Sequence, residues 1–225
     1  MSYDFGGGDS YRATTDFAAL DITGSALTIA VWVRPDRVNS GDAILCKWNN
    51  DFTAQQQYRM RCGPSGNVQC LVRGSTTTYE VNSAAAATIS VWNHFGLNLS
   101  GTGANQFSAW LNGTQTTGTA SQAIQNTAEL ASIAIEGTGN QLDGSIAELG
   151  VWNVSLTNDE MVSLARGTPP PRIRRNSLAY YVPFNTSAAA LDLSGSKNTM
   201  GTVGGTPVFL ENNHPPVDRW MPMPS

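Results

Sequence analysis

The stretch Leu27-Thr28-Ile29-Ala30-Val31-Trp32-Val33-Arg34 puts Leu27, Ile29, Val31 and Val33 on one side of an extended chain and stops at Pro35-Asp36. A period of two rich in β-branched residues marks a strand with one face in a core, and proline followed by aspartate turns the chain. Comparable runs recur at about 43–48, 57–62, 68–73, 77–81, 91–99, 106–111, 131–136 and 144–152, separated by Gly, Asn, Ser and Thr clusters. Short strands at this spacing predict an all-β sandwich or jelly roll and not a parallel α/β sheet. Asn112-Gly113, directly after Phe107-Ser108-Ala109-Trp110-Leu111, predicts a type I′ turn, because both central positions of that turn need φ > 0.

Composition agrees with this reading. Apolar residues make up 40% of the 225, enough for a sizeable core, but only 13% are charged, about half the usual share, so the surface is polar and largely uncharged. The net charge of −4 lacks the surplus of Lys and Arg that phosphate contacts require, which excludes a general nucleic-acid binder. No stretch of eighteen apolar residues occurs, so no membrane-spanning helix is expected. The opening Met1-Ser2-Tyr3-Asp4-Phe5-Gly6-Gly7-Gly8 has no basic segment followed by an apolar one, and the expectation is a chain without a secretory leader.

Three cysteines, Cys46, Cys62 and Cys70, do not suit a disulfide framework. Cys62 and Cys70 flank the turn Gly63-Pro64-Ser65-Gly66-Asn67, which predicts a hairpin with Tyr58, Met60 and Cys62 on one face of one strand and Val68, Cys70 and Val72 on one face of the other. The thiols then lie offset and serve as small core hydrophobes.

One helix is marked, over about 158–166. Thr157-Asn158-Asp159-Glu160 is a capping-box pattern, Met161, Leu164 and Ala165 share a face, and Gly167 ends it. A basic, proline-rich loop over 167–176 follows, then a completing strand over 177–185 built on Leu178-Ala179-Tyr180-Tyr181-Val182-Pro183-Phe184. Residues 1–210 are thus read as one jelly roll and 211–225 as an extended proline-rich tail, in which Trp220, Met221 and Met223 offer apolar area that no amphipathic helix buries. Arg166, Arg172, Arg174 and Arg175 gather four of the thirteen basic residues within ten positions and leave the remainder at about −8. That run reads either as a solvated linker or as a contact for an acidic partner surface.

Catalytic signatures are missing from the sequence. The seventeen acids contain no pair spaced by two, the most economical way for one strand to present two carboxylates to a glycosidic bond, and there is no His-Glu-x-x-His, Cys-x-x-Cys, Gly-x-Ser-x-Gly or phosphate loop. His94, one of two histidines, reads as a hydrogen-bonded strand residue. Loop acids Asp9, Asp36, Asp42 and Asp51 could ligate calcium, but no spacing singles one out, and neither a cofactor nor a metal is predicted. Trp32, Trp110 and Trp152 read as core, while Trp48 at a turn and Trp220 in the tail are the binding candidates.

The order Leu27 to Pro35, Trp92-Asn93-His94-Phe95, Trp110-Leu111-Asn112-Gly113 and Gly144-Ser145-Ile146-Ala147-Glu148-Leu149-Gly150-Val151-Trp152, followed by the capped helix, resembles the laminin-G-like (concanavalin A-like) jelly-roll family over roughly 9–167. That family commonly has Ile-Asp-Glu where this chain has Ile146-Ala147-Glu148, which weakens a carried-over calcium site. Leu178 to Phe184, Asp192-Leu193-Ser194-Gly195 and His214-Pro215-Pro216-Val217 resemble the C-terminal extension of such proteins encoded by bacteriophages and mobile elements. The resemblance implies a non-enzymatic structural protein of a phage particle, a surface or decoration protein located on the virion. Its expected partners are other virion proteins or itself as a homo-oligomer, met through Trp220, Met221, Met223, Arg172, Arg174 and Arg175. The alternative is a lectin-like module for a host cell-surface glycan, and a glycoside hydrolase is the weaker third reading.

Overall fold

The computed structural model describes residues 2–38, 41–49, 53–137, 139–185, 191–205, 207–210 and 214–216. In chain order the elements are β1 (Ser2–Gly6), β2 (Ser10–Arg12), β3 (Leu27–Pro35), β4 (Asp42–Trp48), β5 (Gln56–Cys62), β6 (Asn67–Arg73), β7 (Thr78–Ala86), β8 (Asn93–Leu99), β9 (Gly103–Leu111), β10 (Thr114–Ala120), β11 (Ser132–Ile133), β12 (Asp143–Trp152), α1 (Asn158–Ala165), β13 (Leu178–Val182), β14 (Gly201–Gly204) and β15 (Val208–Leu210). They form two antiparallel sheets. The eight-stranded one runs β10-β9-β8-β3-β12-β1-β15 with β13 also on β12, and the seven-stranded one runs β14-β2-β11-β4-β5-β6-β7. This is the expected jelly-roll sandwich.

The alternation that predicted β3 sends Leu27, Ile29, Val31 and Val33 into the space between the sheets, where they meet Phe95, Leu97, Tyr58, Met60, Cys70 and Val151. In the β5–β6 hairpin Met60 faces Cys70 and Cys62 faces Val68, so the thiols are offset, and all three cysteines are free and buried. Burial raises the Cys62 thiol to about 12, with the Asp42 carboxylate adding to the shift, so it stays protonated and inert. Asn112 (φ 51°) and Gly113 (φ 81°) both have positive φ, as the β9–β10 turn requires.

A second apolar layer lies on the outer side of the eight-stranded sheet. Trp110 and Trp152 are buried there with Ala30, Leu178 and Tyr181 beneath Met161 and Leu164 of α1, so these tryptophans are interior residues but not part of the core between the sheets. The helix begins as predicted: Glu160 N–H donates to Thr157 Oγ1 (3.3 Å) and Thr157 N–H to Glu160 Oε2 (2.7 Å). It ends where Gly167 N–H bonds the Leu164 carbonyl.

Two expectations change, and two strands appear that the sequence did not announce. The segment at 131–136 pairs only as Ser132–Ile133, because Ala134 takes φ 63° and turns the chain. The polar strand β10, Thr114-Gln-Thr-Thr-Gly-Thr-Ala, has no apolar alternation because it is an edge strand with little buried surface, and β1 is hidden in the sequence by the glycines that follow it. The basic loop, finally, is no open linker. Pro170 is buried and the Ile173 carbonyl accepts from Trp152 Nε1 at 2.8 Å, which fastens the loop to β12.

One side of β12 is shared by two strands from distant parts of the chain. β1 pairs with residues 143–146 and β13 with 149–152. Between them Glu148, at φ 54°, forms a bulge that lets both dock.

Candidate ligand site

Segment 191–198 is laid beside β13 by a buried carboxylate. Asp192 Oδ1 accepts from Tyr181 N–H (3.0 Å) and Ser194 N–H (2.8 Å), while Oδ2 accepts from Asn198 N–H (2.8 Å) and the Ser194 hydroxyl (2.9 Å). Leu193 N–H donates to the Tyr181 carbonyl at 2.8 Å. Aspartate suits this position because both oxygens can organise a tight loop through backbone donors.

This loop, β13 and the turn at Arg175–Ser177 enclose a trough with two adjoining lobes. The smaller, of about 440 Å³, is lined by Asp21, Thr23, Asn153, Asn176, Ser177 and Ser196 among others. The larger, of about 540 Å³, is lined by Arg175, Asn176, Leu178, Tyr181, Leu193 and Ser196 among others. Asn176, Leu178 and Ser196 belong to both. The smaller lobe offers amide and hydroxyl groups. Its carboxylate, Asp21, is ion-paired to the fully buried Lys47 at 2.7 Å, an ammonium also held by Asp16 at 2.6 Å and the Thr127 carbonyl at 2.9 Å. The larger lobe has an apolar wall, and Arg175 is exposed at its edge.

A second polar group of side chains crosses the outer face of the seven-stranded sheet. Glu136 binds Arg59 and lies 3.7 Å from Arg61, Arg61 donates to Gln69, Gln69 donates to Glu80 at 2.6 Å, and Asn82 donates to the same Glu80 oxygen at 2.8 Å. The members bond one another, so the row is spent largely on itself. Trp48, the expected binding tryptophan, is buried under this row with the Arg59 guanidinium 4.8 Å from its ring centre.

His94 departs from its expected role. It is a buried strand residue packed edge-on to Trp32 at 5.3 Å, but its Nδ1 lacks a hydrogen-bond partner, and burial lowers its pKa to about 3. It is a neutral packing group. Glu148 accepts the Tyr181 hydroxyl at 2.6 Å. Among the described residues no group of three His, Cys, Asp or Glu side chains could hold a metal ion.

Of the residues singled out from sequence, Arg172, Arg174 and Arg175 are all exposed. Arg174 is held by Glu160 at 2.7 Å, and only Arg175 reaches the trough. Trp220, Met221 and Met223 lie outside the described residues, as does Asp51. Sequence reasoning missed Asn153, Asn176, Ser177 and Ser196, since single Asn and Ser residues in loops carry no periodic signal; the one local pointer was Asp192-Leu193-Ser194-Gly195.

Several solved structures share this architecture. A Bacteroides ovatus ATCC 8483 protein described as a candidate carbohydrate-binding protein aligns with TM-score 0.63 and 14% identity over 94% of this chain and 61% of that one, so the present chain spans about three fifths of its length. The CBM40 of a Ruminococcus gnavus IT-sialidase, solved bound to α2,3-sialyllactose, aligns with TM-score 0.55 and 16% identity over 73% of this chain and 96% of that one. A heptameric SAP-like pentraxin from Limulus polyphemus aligns with TM-score 0.55 and 13% identity over 91% and 94%. Identities this low establish the fold alone. No curated protein sequence matches the chain significantly. The family model of the laminin-G type within the concanavalin A-like lectin/glucanases superfamily matches residues 5–161, and the chain belongs to that superfamily.

Proposed function

We propose that the protein is a non-enzymatic carbohydrate-binding module whose ligand lies in the trough between β13 and the 191–198 loop. The observation that carries this reading is the lining: uncharged amide and hydroxyl groups of Asn153, Asn176, Ser177 and Ser196 beside an apolar wall of Leu178, Tyr181 and Leu193. Sugars present both hydroxyls and C–H faces, and such a lining answers both. The carbohydrate-binding neighbours of the same fold support it. Binding of the full chain to an oligosaccharide panel, followed by calorimetry on the best ligand, tests it. Asn176→Ala and Ser196→Trp are expected to weaken binding at least tenfold with unchanged melting. Absence of saccharide binding by the full chain overturns the reading.

A finer setting is display on a bacteriophage particle. Its support is the likeness of 178–184, 192–195 and 214–217 to the extension of phage-encoded laminin-G-like proteins. There the tail over 211–225 anchors the module through Trp220, Met221 and Met223 to virion proteins or a second copy. Trp220→Ala should weaken that association more than about tenfold, as expected for a buried indole anchor. A native mass that stays monomeric in the full chain, with no particle association, overturns it.

A further inference from the structure

The two lobes of the trough differ in charge. In the smaller, the Asp21 carboxylate is already neutralised by Lys47 at 2.7 Å, so amides and hydroxyls set its character. The larger lobe is lined by Arg175, and no carboxylate is among its described lining residues. The neighbouring Arg174 is compensated by Glu160 at 2.7 Å, whereas Arg175 has no such acid within ion-pair distance among the described residues. Beneath it Tyr181 spends its hydroxyl on Glu148, leaving the ring as apolar wall beside Leu178 and Leu193. In a chain of net charge −4, Arg175 is an exposed guanidinium lining a cleft with no carboxylate among its described residues, and an anionic ligand group there would gain charge-assisted hydrogen bonds.

We propose that the trough selects an acidic oligosaccharide, with a sugar carboxylate on Arg175 in the larger lobe and neutral residues along Asn176, Ser177 and Ser196. This rests on the carbohydrate-binding reading and names its ligand class. The planar guanidinium fork matches a carboxylate through two parallel hydrogen bonds, which a lysine ammonium cannot reproduce. Because Arg175 is exposed, the contact is screened by salt. The lobes, of about 440 and 540 Å³, share Asn176, Leu178 and Ser196, so a ligand of more than one sugar residue can reach from one into the other.

Calorimetry on the full chain with a panel of oligouronates, their neutral methyl esters and sulfated counterparts, at low and high salt, tests this. Expected is at least tenfold tighter binding of one uronate than of its ester, a preference that shrinks with salt, disappears in Arg175→Gln and is only partly kept in Arg175→Lys. Melting of both variants should match the parent. Equal affinity for acid and ester, or a preference that survives Arg175→Gln, overturns the inference. Ester binding that depends on Asn176 while showing no acid preference overturns this inference and leaves the carbohydrate-binding reading standing. Tighter binding of the sulfated ligand overturns the carboxylate assignment, and failure of every saccharide to bind overturns both readings.

Discussion

The hydroxyl of Tyr181 donates to Glu148 Oε2 at 2.6 Å in the interior, tying β13 to the bulge of β12. Glu148 thereby holds β13 against the strand it pairs with. Tyr181→Phe removes a donor to a buried carboxylate and should cost roughly 1–3 kcal/mol, read from the urea midpoint at unchanged m-value. A loss below measurement error would show that the contact carries no stability.

A chain ending at Asn176 loses more than a hydrogen bond. Tyr180, Val182 and Phe184 leave the core between the sheets, and residues 149–152 of β12 lose their partner strand. Burial of each such side chain contributes roughly 1.5–3 kcal/mol against a typical total of about 5–15, so the fragment should not fold. A soluble fragment with the parent's cooperative transition would make the extension an independent appendage.

Burial holds His94 neutral, at a pKa of about 3 against an ordinary 6.5. Above pH 6.5 neither state is protonated and His94 contributes no pH dependence. Below it the unfolded chain binds a proton that the folded chain refuses, so stability should fall by roughly 1 kcal/mol per pH unit as pH drops. Denaturant titrations between pH 6.5 and 5, above the usual carboxylate range, should show this slope in the parent and a flatter one in His94→Gln. Equal slopes would remove His94 as the cause.

Gly144 has φ 150°, and a Cβ there would lie 2.4 Å from the Arg34 carbonyl oxygen and 2.9 Å from Pro35 Cα, both backbone atoms that cannot swing away. Gly144→Ala is expected to cost roughly 2–4 kcal/mol, the range of backbone-strain substitutions. At Gly195 a Cβ meets nothing within 4 Å, so Gly195→Ala is the control and should stay within about 0.5 kcal/mol. Equal melting temperatures for the two variants would contradict the close approach of β12 to the end of β3.

The capping box joins the helix to the basic loop, because Glu160 accepts from both Thr157 and Arg174. Partial burial alone would raise the Glu160 pKa, but the hydrogen bonds from Arg174 and Thr157 outweigh it and hold the carboxyl below its ordinary range. Its contribution is therefore present above the ordinary value and fades as pH falls through the lowered one. Thr157→Ala should cost about 1 kcal/mol at neutral pH, with a smaller difference from the parent in acid. A pH-independent difference would place the cost in packing and not in the cap.

What the sequence determined by itself was everything that local periodicity and local chemistry control. The alternation of Leu27 to Val33 placed β3, the offset of Cys62 and Cys70 followed from one turn, Thr157 and Glu160 announced the helix, and Asn112-Gly113 announced a positive-φ turn. Tertiary structure decided what depends on residues far apart in the chain. β1 and β13 share one side of β12 only because the bulge at Glu148 makes room for both, and neither strand records that partner in its own pattern. Trp48 looked available at a turn and is covered because Arg59, on the next strand, crosses its ring. The trough needs Asp21, Asn153, Asn176 and Ser196 at one place, four residues spread over more than 170 positions. Concavity is a property of how packed elements leave space between them, and no single segment carries the sign of it.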